Sequence, residues 1–200
     1  MTNLFPMFLK LEGRPCLVVG AGTVAEGKIG SLLLAGATVR VVAPQANAAV
    51  LEWARTGVIR WEAREFSPLD LDKVFLVIAA TSSNEVNESV FREAQRRDVL
   101  CNVVDHPQHC DFYYPAVVRR GQLQIAISTA GESPALAQRL RRELEIQFGP
   151  EYESWVEQLG KARSELFARD INPEERRRRL HELASQPPLA AGLISKGERS

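Results

Sequence analysis

The stretch Arg14-Pro-Cys-Leu-Val-Val-Gly-Ala-Gly-Thr-Val-Ala25 decides the fold of this chain. Its apolar run, 16–19, is typical of a strand that is buried on both faces of a sheet. The residues that follow, 20–25, fit the pattern G-x-G-x-x-G/A with alanine in the third position. Two glycines there permit a tight turn and let backbone N–H groups approach a pyrophosphate, at the start of a helix whose free N–H groups favour phosphate. The pattern predicts dinucleotide binding, with a tight turn that holds no ligand as the alternative.

Strand and helix patterns alternate after this turn. Apolar runs predict further strands at 38–43, 58–63, 73–80 and 99–104, and periodic segments predict helices at 23–34, 48–55 and 84–97. Such alternation indicates a parallel sheet with right-handed crossovers, which is an α/β fold of the Rossmann type, over residues 1–112.

Two details of the first helix are open at the level of sequence. Thr23 is expected to be its N-cap. Gly27 and Gly30 lie inside the helix, where each costs about 1 kcal/mol relative to alanine. Either these glycines allow the helix to pack closely against its neighbours, which we favour, or the helix is simply of moderate stability.

The pattern changes beyond residue 112. Residues 114–128 predict a hairpin joined at Arg119-Arg120-Gly121, and Ser133-Pro134 predicts the N-cap and first turn of a helix that ends near 148. Two further helices are predicted at 152–169 and after Asn172-Pro173, followed by a flexible tail beyond Pro187-Pro188. We therefore expect a small α+β domain over 113–149 and a helical domain over 150–200.

Composition narrows the classes of function. The chain has 200 residues and a formal net charge of +0, so no global field favours nucleic acid or a membrane surface. No apolar run is long enough to span a bilayer, and no signal peptide is recognisable. Three cysteines, an odd number without a C-x-x-C motif, favour a reducing compartment and hence the cytoplasm. Cys16 and Cys101 lie in predicted strands and are expected to be small core residues.

Ligands of open parallel sheets bind beyond the carboxyl ends of the strands. The second strand ends at Ala43-Pro44-Gln45, where an acid for a ribose or an arginine for a 2′-phosphate is expected, and neither is present. The absence of a basic residue leans toward NAD rather than NADP, and Gln45 with backbone groups could hold the ribose. Thr81 follows the fourth strand, where it could line the cleft, cap the next helix, or do both.

Asp105 ends the fifth predicted strand, at the edge where a nicotinamide ring should lie. A carboxylate there could accept a proton while a hydride leaves to the cofactor. The alternative is an ordinary turn aspartate before His106-Pro107. The spacing of His106, His109, Cys110 and Asp111 fits no strong metal-binding pattern, so no metal ligands are predicted. Because imidazole binds iron, a transient role near a substrate metal stays open.

Basic residues cluster in the second half of the chain. They are Arg119, Arg120, Arg139, Arg141 and Arg142. A substrate with many carboxylates would need such partners. The alternative is that they cover the solvated faces of a hairpin and a helix.

Taken together, several short stretches resemble one known family. They are Phe5-Pro-Met-Phe8, the glycine turn with Lys28, Val42-Ala-Pro44, Ala79-Ala-Thr81, Cys101-Asn-Val-Val-Asp105, Tyr114-Pro-Ala116 and Ser128-Thr-Ala-Gly-Glu-Ser-Pro134. This set is similar to precorrin-2 dehydrogenase, the amino-terminal part of siroheme synthase. The resemblance covers residues 3–145.

The resemblance implies a function and a site. The family oxidises precorrin-2 to sirohydrochlorin with NAD, some members also insert ferrous iron, and dimers form through the central domain. The catalytic aspartate of the family matches Asp105. Its cofactor-contacting positions match Gly22, Thr23, Val24, Pro44, Gln45 and Thr81, beside Gly20 of the turn itself. Because the substrate is a polycarboxylate tetrapyrrole, we expect contacts from Arg119, Arg139 and the loop residues Ser128, Thr129, Gly131 and Ser133.

The chain departs from the family pattern at two places. Many members have a basic residue where this chain has Gly27, and the bifunctional members carry a methyltransferase domain after the helical part. Since this sequence stops at Ser200, we expect it not to methylate uroporphyrinogen. Whether this chain also inserts iron into sirohydrochlorin stays open. Two other functions stay open as well: a dinucleotide-binding regulatory module without chemistry, and a cobalt or nickel chelatase on the same fold.

Overall fold

The computed structural model describes residues 4–186 and 188, so the tail predicted beyond Pro188 lies outside the described residues. The chain divides into two compact units, 1–113 and 114–200. The predicted boundary between the central and helical parts, at 149/150, stays a prediction.

The first unit is a five-stranded parallel sheet with helices between its strands. The strand order is β3-β2-β1-β4-β5, which is the order of one and a half Rossmann halves around a switch point between β1 and β4. The strands are β1 (Pro15–Val19), β2 (Thr38–Val42), β3 (Arg60–Glu62), β4 (Leu76–Ala79) and β5 (Leu100–Val103). The helices are α1 (Thr23–Leu34), α2 (Ala48–Arg55) and α3 (Asn84–Arg96). The predicted fold class is confirmed.

The central strands form the core of this unit. Leu17, Val18, Val77 and Ile78 are fully buried, because helices cover both faces of β1 and β4. Cys16 and Cys101 are buried as predicted, and burial raises the pKa of their thiols to about 11 and about 12. Both are therefore un-ionised core residues at neutral pH.

Two strands are shorter than their apolar runs suggest. The backbone N–H groups of Val58 and Ile59 bond to the carbonyl of Trp53, so the chain leaves α2 through a turn before β3 begins. Ahead of β4, a short 3₁₀ turn spans Pro68–Leu71, and Lys73 has a positive φ of 60°. The apolar residues before Leu76 therefore complete this connection rather than the ladder.

Two expectations for α1 need correction. The N-cap is Gly22, and Thr23 is the first helical residue, without a capping side-chain hydrogen bond. Close packing does not explain Gly27, because a Cβ there would meet no atom within 4 Å. A Cβ on Gly30 would lie 3.9 Å from the Trp53 ring, which is ordinary van der Waals contact. The glycines make α1 a weaker helix than alanine would, without a packing gain inside the unit.

The second unit combines a hairpin with three helices. Strands β6 (Ala116–Arg120) and β7 (Leu123–Ile127) pair antiparallel, and α4 (Pro134–Gln147), α5 (Glu151–Ala168) and α6 (Pro173–Ala184) follow. The hairpin turn is Gly121-Gln122 rather than the predicted Arg119-Arg120-Gly121, since both arginines belong to β6, Arg120 pairs with Leu123 and Gly121 carries a positive φ of 54°. Ser133 and Asn172 cap α4 and α6 as predicted.

A buried carboxylate fixes one edge of the sheet. Asp70 is 4% exposed; Arg40 of β2 donates to its Oδ1 at 2.8 Å, and the Ser67 N–H donates to its Oδ2 at 2.8 Å. Arg64 also donates to this carboxylate. Burial raises the pKa of Asp70, but the hydrogen bonds from Arg64, Arg40 and Ser67 outweigh burial and hold it well below its usual range.

We expect Asp70→Asn to lower the free energy of unfolding by about 3 kcal/mol, because it removes the buried charge between two guanidinium groups and leaves them only Glu62 as a carboxylate partner. Denaturant titration at neutral pH measures this loss. Because the pKa of Asp70 is depressed in the folded state, its contribution is present above about pH 4 and disappears as the pH falls further. The variant should therefore lose less stability than the wild type on acidification.

The control is Asp72→Asn, which removes an exposed partner of Arg97 and should cost less than about 1 kcal/mol. Equal losses for the two variants would contradict a special role for Asp70.

Among the described helices, none combines the length and the apolar character needed to cross a membrane.

Candidate dinucleotide site and carboxylate

The carboxyl ends of four strands align at one edge of the sheet. Val19 of β1 pairs with Val42 of β2 and with Ala79 of β4, and Ala79 pairs with Val103 of β5. The ladder continues one step further, since the N–H of Gly20 bonds to the Val42 carbonyl at 3.0 Å and the N–H of Val104 bonds to the Ala79 carbonyl at 3.0 Å. The glycine turn and Asp105 are therefore brought to the same edge.

The two glycines of the turn have different environments. Gly20 has a φ of 108°, and a Cβ there would lie 2.3 Å from the Ala80 carbonyl oxygen. Gly20 is therefore needed for the approach of β1 to β4. Gly22 has φ −86° and ψ −171°, which any residue adopts, and a Cβ there would meet no protein atom within 4 Å. The packing of the protein therefore does not require glycine at position 22. The missing side chain instead leaves open the space outside the turn, where a ligand would approach the backbone.

The amino end of α1 fits the phosphates of a dinucleotide. Gly22, Thr23 and Val24 are exposed, and Val24 keeps 54% of its surface accessible. No side chain caps this helix end, whereas Asn47 and Ser83 cap α2 and α3. A pyrophosphate requires free backbone N–H groups and room to approach them. The first turn of α1 supplies the N–H groups, and the open space at Gly22 supplies the room.

The loop after β2 carries Pro44 and Gln45, which are both exposed. Asn47, two residues further on, ties this loop to α1. Its backbone N–H bonds to the Ala21 carbonyl at 3.0 Å, and its Nδ2 donates to Oε2 of Glu26 at 2.7 Å. Its Oδ1 accepts from the N–H of Val50 and so caps α2. The position of Pro44 and Gln45 relative to the glycine turn is fixed by these bonds.

Thr81 follows β4 and belongs to a hydrogen-bonded cluster at the start of α3. Its hydroxyl lies 2.8 Å from Oδ1 of Asn87 and accepts from the N–H of Ser83 at 3.2 Å. Asn87 is 4% exposed, and its Nδ2 donates to the Thr81 carbonyl at 3.1 Å. The interpretation of residues 81–84 as a helix-capping cluster is correct, with Ser83 rather than Thr81 as the N-cap of α3, and the cluster also fixes the backbone of Thr81 at the end of β4.

Asp105 occupies the tip of a tight turn. The N–H of His106 bonds to the Val103 carbonyl at 3.2 Å, and Asp105 has a φ of 62°. A positive φ at the third position of such a turn is usual for glycine or asparagine, and aspartate tolerates it at some cost in energy. The side chain of Asp105 is exposed, and its backbone lies in the left-handed region, where aspartate is more frequent than most other residues apart from glycine and asparagine.

Lys28 on α1 interacts electrostatically with Asp105. Burial lowers the pKa of the Lys28 ammonium, whereas the charge of Asp105 and the Cys110 thiol act in the opposite direction. The Cys110 sulfur lies 3.2 Å from the Val103 carbonyl and 3.3 Å from the His106 carbonyl, the two groups on either side of the Asp105 turn. The Cys110 thiol therefore lies against the backbone of this turn, and Lys28 is close enough to Asp105 to interact with it electrostatically.

The histidines and Asp111 near Asp105 have structural contacts. The ring of His109 stacks on Phe91 with 4.5 Å between centroids, and on His106 at 5.9 Å. Asp111 accepts hydrogen bonds from Gln95 and from the Cys101 N–H. In the part of the chain that the structure describes, no group of three or more possible ligands is arranged to hold a metal ion.

The loop between β7 and α4 is shaped by its own hydroxyl groups. Ser128 Oγ accepts from the Ala130 N–H at 3.1 Å, and Thr129 Oγ1 accepts from the Ser133 N–H at 3.1 Å. Ala130 and Gly131 both have positive φ values, 51° and 89°. The hydroxyls of Ser128 and Thr129 retain their hydrogens as donors.

The basic residues of the second unit differ in their contacts. Arg120 donates to the Phe148 and Glu145 carbonyls, so it caps the end of α4 and holds it against β6. Arg139 pairs with Glu143 at 3.2 Å on an exposed face. Arg119 is exposed, and its guanidinium makes no hydrogen bond or ion pair within the described residues. The interpretation as a solvated helix face thus fits Arg139, while Arg119 keeps its donors.

Sequence reasoning missed Glu26 and Asn87, and it named Lys28 only as part of the family pattern, without a role. A signal existed for Asn87, because a polar residue at the buried face of an amphipathic helix indicates a tertiary hydrogen bond. Glu26 follows the third small residue of the turn directly and is the only acid in the first turn of α1. Its contact with Asn47 joins residues 21 positions apart, which no local pattern reveals.

Known proteins match this arrangement along nearly the whole chain. A family model for NAD(P)-binding matches residues 7–116, and a model for the central part of sirohaem biosynthesis proteins matches residues 120–147. Siroheme synthase 1 of Serratia proteamaculans is 40% identical over 196 residues, which are 98% of this chain but 41% of that protein. A siroheme synthase of Neisseria meningitidis serogroup C is 43% identical over 176 residues, 88% of this chain and 37% of that protein.

The chain therefore spans about two fifths of the length of these curated relatives. A solved structure, SirC, a precorrin-2 dehydrogenase, matches over 90% of this chain and 89% of its own, with 30% identity and a TM-score of 0.79.

Proposed function

Because this chain belongs to the family of precorrin-2 dehydrogenases and siroheme synthases, we propose that it oxidises precorrin-2 to sirohydrochlorin with NAD. The observation that carries this proposal is the position of Asp105. Its carboxylate follows β5 at the edge where the glycine turn follows β1, in a conformation that costs energy to hold. A dehydrogenase of this kind needs a group that accepts a proton beside its dinucleotide site, and a carboxylate can be that group. A regulatory module has no such need.

The chemistry assigns separate tasks to the two parts of the site. The oxidation removes a hydride and a proton from precorrin-2. Bound NAD supplies the acceptor for the hydride. Asp105 accepts the proton as the substrate is oxidised, and Lys28 places a positive charge beside that carboxylate. Gly20, Gly22, Thr23 and Val24 hold the pyrophosphate through backbone N–H groups.

The remaining contacts to the cofactor and substrate follow from the same proposal. Pro44, Gln45 and Thr81 line the dinucleotide site through the loops after β2 and β4. The carboxylates of the tetrapyrrole are bound by Arg119, Arg139 and the loop residues Ser128, Thr129, Gly131 and Ser133. The free donors of Arg119 and of the loop hydroxyls support this assignment.

The assembly and the location are also part of the proposal. We infer a homodimer formed through the second unit, by analogy with the family, and a cytoplasmic enzyme. Three free cysteines, of which Cys16 and Cys101 are buried, support a reducing compartment.

An anaerobic assay of the purified chain with precorrin-2 and NAD tests the function. We expect NADH absorbance to rise together with the absorbance of sirohydrochlorin. Binding of NAD without any NADH formation would support the regulatory module instead. A second step, in which Fe²⁺, Co²⁺ or Ni²⁺ is added to the product, tests for chelatase activity, and only insertion above the spontaneous rate would demonstrate it.

A further inference from the structure

We propose that Glu26 makes the site selective for NAD over NADP, by placing a carboxylate next to the loop that follows β2. The sequence lacks the acid that usually ends the second strand of such folds, and the structure provides one from α1 instead. The inference rests on the proposed function to the extent that the site binds a nicotinamide dinucleotide.

The contact between Glu26 and Asn47 fixes this carboxylate. Nδ2 of Asn47 donates to Oε2 of Glu26 at 2.7 Å, and both side chains are half-buried. Asn47 itself is held at two further points, by its backbone bond to Ala21 and by its cap on Val50. Glu26 therefore cannot move away from the loop that carries Pro44 and Gln45 without breaking a hydrogen bond that belongs to this cluster.

The Glu26 carboxylate keeps a free acceptor oxygen. Within residues 4–186, no lysine, arginine or histidine forms an ion pair with it, and its second oxygen accepts no hydrogen bond. A carboxylate oxygen in this state can accept from a ribose hydroxyl. The adenosine ribose of a dinucleotide binds beyond the second strand of this fold, which is where the Asn47 contact holds Glu26.

The basic residues on this side of the sheet are already paired with carboxylates. Nη1 of Arg40 lies 2.8 Å from Oδ1 of Asp70, and Nε of Arg60 lies 3.1 Å from Oε1 of Glu62. Arg64 donates to both of these acids. Residues 43–54 contain no lysine or arginine at all. A 2′-phosphate, with a charge of about −1.5 to −2, would therefore meet a carboxylate and find no free guanidinium. Both effects disfavour NADP.

The test is the Glu26→Gln variant, with dissociation constants for NAD and NADP measured by calorimetry. Glutamine keeps the shape and can still accept from Asn47, so the loop should stay in place. We expect NAD binding to weaken modestly and the preference for NAD over NADP to fall at least about tenfold, because the variant no longer places a negative charge against the 2′-phosphate. Glu88→Gln, which removes an exposed acid on α3, is the control for net charge and should leave the preference unchanged.

The outcomes separate this inference from the proposed function. If the wild type binds neither dinucleotide, the proposed function fails. If it binds NAD and Glu26→Gln has an unchanged preference, Glu26 is only a structural link to Asn47 and the inference is overturned. An Asn47→Ala variant provides a second measure: the inference predicts a reduced preference there as well, since Glu26 loses its anchor.

Discussion

Asp105→Asn is expected to reduce the rate of NADH formation from precorrin-2 by at least about 100-fold, which is the scale of a lost general base. The amide cannot take a proton, yet it has the size of the carboxylate. Steady-state kinetics at saturating NAD measure the effect on kcat. NAD affinity should change little, because the glycine turn and α1 are untouched.

Asparagine is the right replacement because of the backbone at Asp105. With a φ of 62°, alanine would add strain, and a loss of activity would then have two explanations. Asparagine adopts this conformation readily, so the turn from Val103 to His106 should persist. A circular dichroism spectrum and a melting temperature equal to those of the wild type would verify this.

The chain offers a matched control in Asp98. This residue is also exposed and also has a positive φ, 53°. It precedes β5, however, and so lies at the amino ends of the strands, whereas Asp105 lies at their carboxyl ends. Asp98→Asn makes the same chemical change in the same backbone conformation and should leave the rate unaltered. Activity close to the wild-type value in Asp105→Asn would refute the role of Asp105 as the base.

Gly22→Ala is expected to weaken NAD binding at least about tenfold while the fold is kept, since a methyl group would occupy the space that the pyrophosphate needs. The protein itself tolerates the methyl group, because φ and ψ are ordinary there and no atom lies within 4 Å of a Cβ. Calorimetric titration with NAD measures the affinity, and denaturant titration measures the stability.

Gly20→Ala should have the opposite profile. Its Cβ would lie 2.3 Å from the Ala80 carbonyl oxygen, at a φ of 108°, so β1 and β4 would have to separate. We expect a loss of at least about 2 kcal/mol in the free energy of unfolding. If both variants lost stability equally, Gly22 would be a structural glycine and its role in cofactor binding would be wrong.

The sequence was sufficient to predict the parallel sheet because the strands are buried on both faces. Short apolar runs between glycine and proline turns leave few alternatives for β1, β2 and β5. The edge strand β3 and the start of β4 were predicted too long, because apolar residues such as Val58 and Val74 serve in connections as well as in ladders. Hydrophobicity alone does not distinguish these two uses.

The site was predicted in outline and not in its supporting contacts. The rule that ligands bind at the carboxyl ends of parallel strands was enough to bring the glycine turn and Asp105 together. The hydrogen bond of Glu26 with Asn47 and the electrostatic interaction of Lys28 with Asp105 depend on how α1 packs on the sheet, and both join residues that are far apart in sequence. The positive φ of Asp105 likewise belongs to the tight turn that directly follows β5, closed by the bond from the His106 N–H to the Val103 carbonyl.

The most direct test of this account is to follow a deuterium label from precorrin-2 deuterated at its oxidisable carbon. The purified chain is incubated with this substrate and NAD without oxygen, and the dinucleotide and the tetrapyrrole are analysed by mass spectrometry. The account predicts one deuterium in each NADH formed and one NADH for each sirohydrochlorin. Sirohydrochlorin without labelled NADH, or NAD bound without any oxidation, would contradict it.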